Sequence, residues 1–246
     1  MKRLLIIGLL SLSTACFQTI FGQTNNTNMK MTSPPYIART SNFMAIAFHI
    51  KADEVQSLVP ANVKVKIDEK GRAAVGMEIY TTEQVYGVPN YTLAFISVTV
   101  NSLDSNNKTS DNYYPIWGAM NNDTALQSFK HFYNFPYQQQ SVTITKGVEQ
   151  VATVGESDGE GITLKLKSKS GSPVSAEGVA PILNQSADGK MQVTEIPWLA
   201  NGNEASIISF EIRPGSNKVL KVLQAAKPFY GQISTNVFSY PKPIRQ

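Results

Sequence analysis

Apolar and polar positions alternate with a period of two along most of this chain, and helical spacing is confined to short stretches. Phe43 to Ile50 (FMAIAFHI) is an apolar run of strand length. Lys51 to Pro60 reads as a short helix, with Val55, Leu58 and Val59 on one face and Pro60 closing it. Ala73 to Tyr80 and Tyr91 to Val100 are two further strands, joined by a Gly/Pro/Asn turn at 87–90. Asn101 to Asn112 is polar and reads as an exposed loop. Asn122-Asp123-Thr124 is a helix start, and Ala125, Leu126, Phe129 and Phe132 or Tyr133 continue at helical spacing until Phe135-Pro136.

Hairpin-like strands follow at Ser141–Lys146, Gln150–Gly155, Ile162–Lys169, Met191–Ile196 and Ala205–Ile212. The alternation is cleanest in ITLKLKSK, where Ile162, Leu164 and Leu166 share one face and lysines the other. Asn217 introduces a last helix, Lys218–Ala226, and Gly231–Tyr240 reads as a closing strand. Many short strands with few short helices predict a mainly β fold, a curved sheet or barrel, without internal repeat or linker. A barrel of this length is either filled with side chains or encloses a cavity, and the pattern leaves both open.

The N-terminus departs from this pattern. Met1-Lys2-Arg3 is basic, Leu4 to Leu12 is almost wholly apolar, and small and mixed residues run to Gly22, the layout of a signal peptide. Polar residues dilute the segment below what a membrane span needs. Cleavage near Gly22–Gln23 gives a soluble secreted or periplasmic protein, the favoured outcome. Ser13-Thr14-Ala15-Cys16 resembles a loose lipobox, which would place a lipid anchor at Cys16. The expected layout is therefore a signal peptide over 1–22, a disordered polar lead-in over 23–35 and one domain over 36–246.

Composition removes whole classes of chemistry. With two histidines and one cysteine, a His/Cys metal site and a disulfide framework are close to excluded, and no metal or cofactor is expected. The formal charge is +4 and the basic residues are scattered, so no nucleic-acid partner is called for. No phosphate loop, dinucleotide fingerprint or nucleophile elbow occurs. Gly155 to Gly161 is acidic and glycine-rich, but it misses calcium-loop spacing and reads as a turn. His49 reads as a core histidine with a satisfied hydrogen bond, and His131 as part of a solvated helix face.

Two segments resemble the acetoacetate decarboxylase family. The first is Asn42 to Val100, with LVPANVKV, MEIY and NYTLAFISVTV; the second is Asn121 to Gln140, NNDTALQSFKHFYNFPYQQQ. The resemblance implies an acetoacetate decarboxylase-like β-barrel around a mainly apolar cavity. In that family the aromatic-Pro pair precedes two adjacent lysines. One forms a Schiff base with the substrate ketone and the other helps lower its pKa, so that an unprotonated amine can attack. Here those positions are Tyr137 and Gln138, which form no imine.

The family's first glutamate matches Glu78, at the right spacing to Tyr91, and its second falls on Leu93. Its arginine aligns with Ser41, with Arg39 close enough for a small shift to restore it. Neither Lys130 nor Lys146 falls in the lysine pair. Glu78 shares a strand face with Ala74 and Gly76, against Val75, Met77 and Ile79 on the other, so it points either to solvent or into a cavity. Tyr137 and Gln138 either pack the helix end or touch a ligand.

The resulting expectation is a barrel whose cavity takes a small keto acid or related carbonyl metabolite. Its chemistry would be that of a lyase or isomerase without a Schiff base, with Glu78 as acid or base. Tyr137, Gln138, Leu93, Tyr91 and Arg39 would surround the ligand. The alternative is a non-catalytic small-molecule-binding barrel that has lost the decarboxylase chemistry. In a third, the barrel is filled and its surface is the functional part.

Overall fold

The computed structural model describes residues 31–101, 111–156 and 159–245. The expected signal peptide, Cys16, most of the lead-in and most of the loop Asn101–Asn112 lie outside the described residues.

Thr32 to Gln246 form one compact unit. In chain order its elements are β1 (Tyr36–Lys51), α1 (Ala52–Gln56), β2 (Arg72–Tyr86), β3 (Thr92–Val100), β4 (Asn112–Met120), α2 (Asp123–Tyr133), β5 (Tyr137–Gln139) and β6 (Val142–Thr145). There follow β7 (Gln150–Gly155), β8 (Gly161–Ser168), β9 (Val174–Gln185), β10 (Met191–Arg213), α3 (Lys218–Gln224), β11 (Pro228–Tyr240) and β12 (Ile244–Arg245). The mainly β fold with few short helices is as the period-two pattern predicts.

Seven strands close a ring in the order β11-β1-β2-β3-β4-β9-β10, because β10 also pairs with β11. Each seam is antiparallel except β4/β9, which meet in parallel through the single pair Tyr113–Ile182. β10 is long enough to serve two sheets. Its first part pairs with β9, its middle with β11, and residues 205–213 with β8, which carries β7 and β6 beyond it. At Gly202 a Cβ would lie 2.3 Å from the Ile233 carbonyl oxygen, so only glycine lets the closing strands come this close.

The sheet buries two different faces. Met44, Ile46, Met77, Ile79 and Ile96 pack under β6–β8, α1 and α3 in an aliphatic core. The inner face carries an aromatic cluster that includes Phe43, Tyr80, Phe95, Phe129, Tyr137 and Tyr240. The Asn122 side chain caps α2 by accepting from the Ala125 N–H at 3.0 Å, as the sequence predicts. The helix ends at Asn134, whose left-handed backbone (φ 53°) stops it ahead of Phe135-Pro136.

Three differences from the sequence reading have physical causes. Met191–Ile196 and Ala205–Ile212 are parts of one strand, β10, because the residues between them pair with β11. β4 was not anticipated: Pro115 interrupts its pattern, and the fold seats it at a bulge opposite Ile96–Ser97, where no ladder N–H is needed. β9 contains Gly178 and Pro181 and was likewise missed. Its β4 side is joined at one residue pair only, which leaves Pro181 an almost unpaired edge.

Candidate functional site

One register row crosses the inner face of the ring. Glu204 on β10 lies opposite Gln232 on β11, then come Ala45 on β1, Glu78 on β2, Phe95 on β3, Gly118 on β4 and Tyr137 on β5. Alternation sends Val75, Met77 and Ile79 into the aliphatic core, which turns Glu78 inward.

That face bounds a cavity of about 560 Å³, within the usual range for small-molecule sites. The space exists because Ala45, Ala176, Ala180, Ala200 and Gly202 put small residues on three strands. Phe95, Phe135, Trp198 and Phe238 supply apolar wall, and Glu204 and Tyr230 belong to the lining on the β10–β11 side.

Among the described residues, Glu78 and Glu204 are the only charged residues of the lining, and no Lys, Arg or His belongs to it. Glu204 is ion-paired to Lys169 at 2.8 Å. Among the described residues Glu78 has neither ion pair nor hydrogen bond, and burial alone pushes its carboxyl up to about 7. A carboxyl without a cation, poised near neutrality on a cavity wall, is able both to take up and to release a proton at physiological pH.

Tyrosines surround this carboxyl. Burial, then neighbouring tyrosine and the Glu78 charge, hold the Tyr137 and Tyr240 hydroxyls well above the usual phenol range. Burial, then Asp111 and Glu78, raises Tyr113. These phenols are neutral at physiological pH and offer O–H donors. Tyr240 is fixed by Tyr80, their hydroxyls 3.1 Å apart, and by the Tyr133 O–H, which donates to its carbonyl at 2.8 Å.

Tyr137 is set by local sequence. Side chains from β9 and β10 hold the end of α2: the Asn184 amide donates to the Tyr133 carbonyl, as does Gln192 at 3.1 Å. Four residues on, the Tyr137 ring occupies the space over Gly118, where a Cβ would stand 2.3 Å from Cδ1.

The other sequence-predicted residues fall outside the lining. Gln138 turns away and donates to Glu160 at 3.1 Å, a carboxylate also held by Asn217 at the start of α3. Tyr91 is buried against Tyr80, its backbone clasped by the Thr82 hydroxyl at 2.9 and 3.0 Å. Leu93 is buried in the aromatic cluster. Arg39 is exposed, and Ser41 meets Glu83 and Lys146 at the surface. The structure thus brings Glu78 and Tyr137 together at the cavity, and not the remaining four. His49 is half-buried, stacks on Phe229 at 4.1 Å and leaves Nδ1 without a hydrogen bond, 3.9 Å from Asp68. It therefore lacks the satisfied hydrogen bond expected of it.

Tyr113, Trp198, Asn236 and Tyr240 line the site without having been anticipated. Period-two alternation in QISTNVFSY could have flagged Asn236 and Tyr240, whereas the strands bearing Tyr113 and Trp198 were hidden by proline. Among the described residues no group of three or more His, Cys, Asp or Glu side chains could hold a metal. Nor is any helix there long and apolar enough to cross a membrane.

A closed barrel with a mainly apolar cavity and one bare carboxylate is the class that geometry defines, and comparison with solved structures identifies the fold within it. Acetoacetate decarboxylase from Legionella pneumophila superposes with a TM-score of 0.63 at 13% identity, covering 87% of this chain and 88% of that one. An acetoacetate decarboxylase-like enzyme from Sphingomonas wittichii RW1 gives 0.60 at 12% identity, covering 88% and 94%. The enduracididine biosynthesis enzyme MppR, complexed with pyruvate, gives 0.58 at 8% identity, covering 88% and 91%. No family model matches the sequence, and no curated protein matches it either. The fold is acetoacetate decarboxylase-like, as the sequence resemblance implies.

Proposed function

We propose that the protein binds a small carbonyl metabolite inside the barrel and moves a proton on it with Glu78, without forming an imine. The observation that carries this reading is an unpaired, desolvated carboxylate on the wall of a cavity whose lining, among the described residues, includes no Lys, Arg or His. The Glu78 carboxylate takes a proton from the carbon next to the carbonyl. The electron pair of that C–H bond forms the C=C bond as the carbonyl π pair moves onto oxygen, where a neutral phenol O–H from Tyr113, Tyr137 or Tyr240 donates to the resulting enolate. Return of the proton to carbon, or to a neighbouring position, completes an enolisation or isomerisation of the lyase–isomerase type. The MppR structure holding pyruvate supports small carbonyl compounds as the ligand class for such a barrel. The basic-then-apolar N-terminus supports a site of action outside the cytoplasm, after export.

The test is deuterium exchange at the α-carbon of a panel of ketones, followed by NMR. Exchange above the buffer rate, rising with pH through about 7 and falling about a hundredfold or more in Glu78→Gln, is the expected result. A second reading, a binding barrel without catalysis, is favoured by the replacement of both lysines and by Gln138 being engaged with Glu160. Ligand binding with buffer-level exchange would select it.

A further inference from the structure

We infer that the cavity is built for an uncharged carbonyl compound and rejects free carboxylates, so that its ligand is a ketone, enone, ester or lactone rather than a keto-acid anion. This deepens the proposed function and rests on the barrel being a carbonyl-binding site.

A carboxylate leaving water needs a cation or a set of charge-assisted donors in exchange. Among the described residues the lining offers neither Lys, Arg nor His. Two lysines act electrostatically on lining tyrosines, Lys66 on Tyr113 and Lys169 on Tyr230, and each already has an anionic partner, Asp111 and Glu204. Two basic residues that flank positions the family resemblance implicates are no substitute. Arg39 is exposed, and Lys146 is held at the surface by Ser41 and by Glu83 at 3.4 Å.

A bound carboxylate would therefore meet Glu78 with neutral donors alone and no cation to offset the repulsion. The titratable groups that the elements around Glu78 contribute to the lining are Tyr80 from β2 itself, Tyr113 from β4, Tyr137 from β5, Tyr230 and Tyr240 from β11, and Glu204 from β10, whose carboxyl the paired Lys169 holds below its ordinary value. The tyrosines are all held neutral, so Glu78 is the one group among these that titrates near pH 7. A neutral carbonyl oxygen, by contrast, needs only one phenol O–H, and its apolar body finds Phe95, Trp198 and Phe238.

The experiment compares matched pairs by isothermal titration calorimetry at pH 8: methyl levulinate against levulinate, and methyl benzoylformate against benzoylformate. Like-charge repulsion at an effective dielectric near 20 is expected to make each acid about tenfold or more weaker than its ester. Within Glu78→Gln the ratio of ester to acid affinity should shrink by most of that gap. In the wild-type protein the gap should also narrow at about pH 5.5, where Glu78 is protonated and the acids remain charged, which keeps the test intact should the variant misfold. An acid that binds as tightly as its ester at pH 8 overturns the inference and leaves the carbonyl-binding reading standing. Absence of binding by every member of both pairs overturns the two together.

Discussion

Tyr137 lies flat in a space that exists only because residue 118 has no side chain: a Cβ there would sit 2.3 Å from its ring. The two are parallel partners on adjacent strands, and the ring they seat forms part of the cavity wall. Gly118→Ala should push Tyr137 off its position. Overpacking of this kind costs about 1–3 kcal/mol, which for a domain of this size lowers Tm by roughly 2–10 °C. Ligand affinity measured by calorimetry should fall with it, while an alanine at Gly159, where a Cβ meets nothing within 4 Å, should leave affinity alone.

The Glu78 carboxyl gives stability a pH dependence of definite sign. Its ordinary value is 4.5, and burial pushes it up to about 7 in the fold. Between those values the folded protein keeps a proton that the unfolded chain has released. Its contribution is full below about pH 4.5, declines as pH rises through 7, and is flat above. Glu78→Gln removes this decline. Urea unfolding at pH 5 and pH 8 should show the variant gaining on the wild-type protein by about 2–3 kcal/mol across the interval. A gap that stays constant would mean a carboxyl titrating in its usual range.

Among the described residues no lysine lines the cavity, so imine trapping should fail. Borohydride added with levulinate or acetoacetate should leave no site-selective reduced adduct in a peptide-mass analysis. A single lysine labelled well above a denatured control would restore Schiff-base chemistry and remove the assigned role of Glu78.

The Tyr80 and Tyr240 hydroxyls, 3.1 Å apart and buried, are partners across 160 positions of sequence. Replacing either by phenylalanine leaves the other under-satisfied, at about 1–2 kcal/mol. The double replacement should cost less than the sum of the singles, by about 0.5–1.5 kcal/mol in a double-mutant cycle of denaturation measurements. Strict additivity would show that the contact contributes nothing.

Legibility in the sequence followed the cleanliness of the alternation. β1 to β3, the β7–β8 hairpin and α2 with its Asn122 cap could be read because their apolar spacing is uninterrupted and their ends carry turn or cap residues. β4 and β9 could not, since Pro115, Gly178 and Pro181 are tolerated only by a bulge and a nearly unpaired edge, both products of tertiary pairing. At the site, alternation was enough to put Glu78 opposite Met77 and Ile79. The same rule separates Tyr137 from Gln138: neighbours on a strand point to opposite sides, so only one of the two positions reaches the cavity. Leu93 shares a face with Phe95 but lies deeper in the aromatic cluster, a distinction of depth that periodicity does not encode. Trp198 and Tyr240 come from strands far along the chain, and only ring closure brings them to Glu78.

The parallel seam between β4 and β9 gives the ring unequal strength around its circumference. Every other joint is riveted by a ladder of several residues, whereas this one is stitched at Tyr113 and Ile182, both of which border the internal space. Thermal breathing of the wall should therefore concentrate there, since parting it sacrifices the fewest backbone bonds. Amide exchange in the segments flanking those two residues should outpace that of β1 and β2, and slow when a ligand bridges the gap from within.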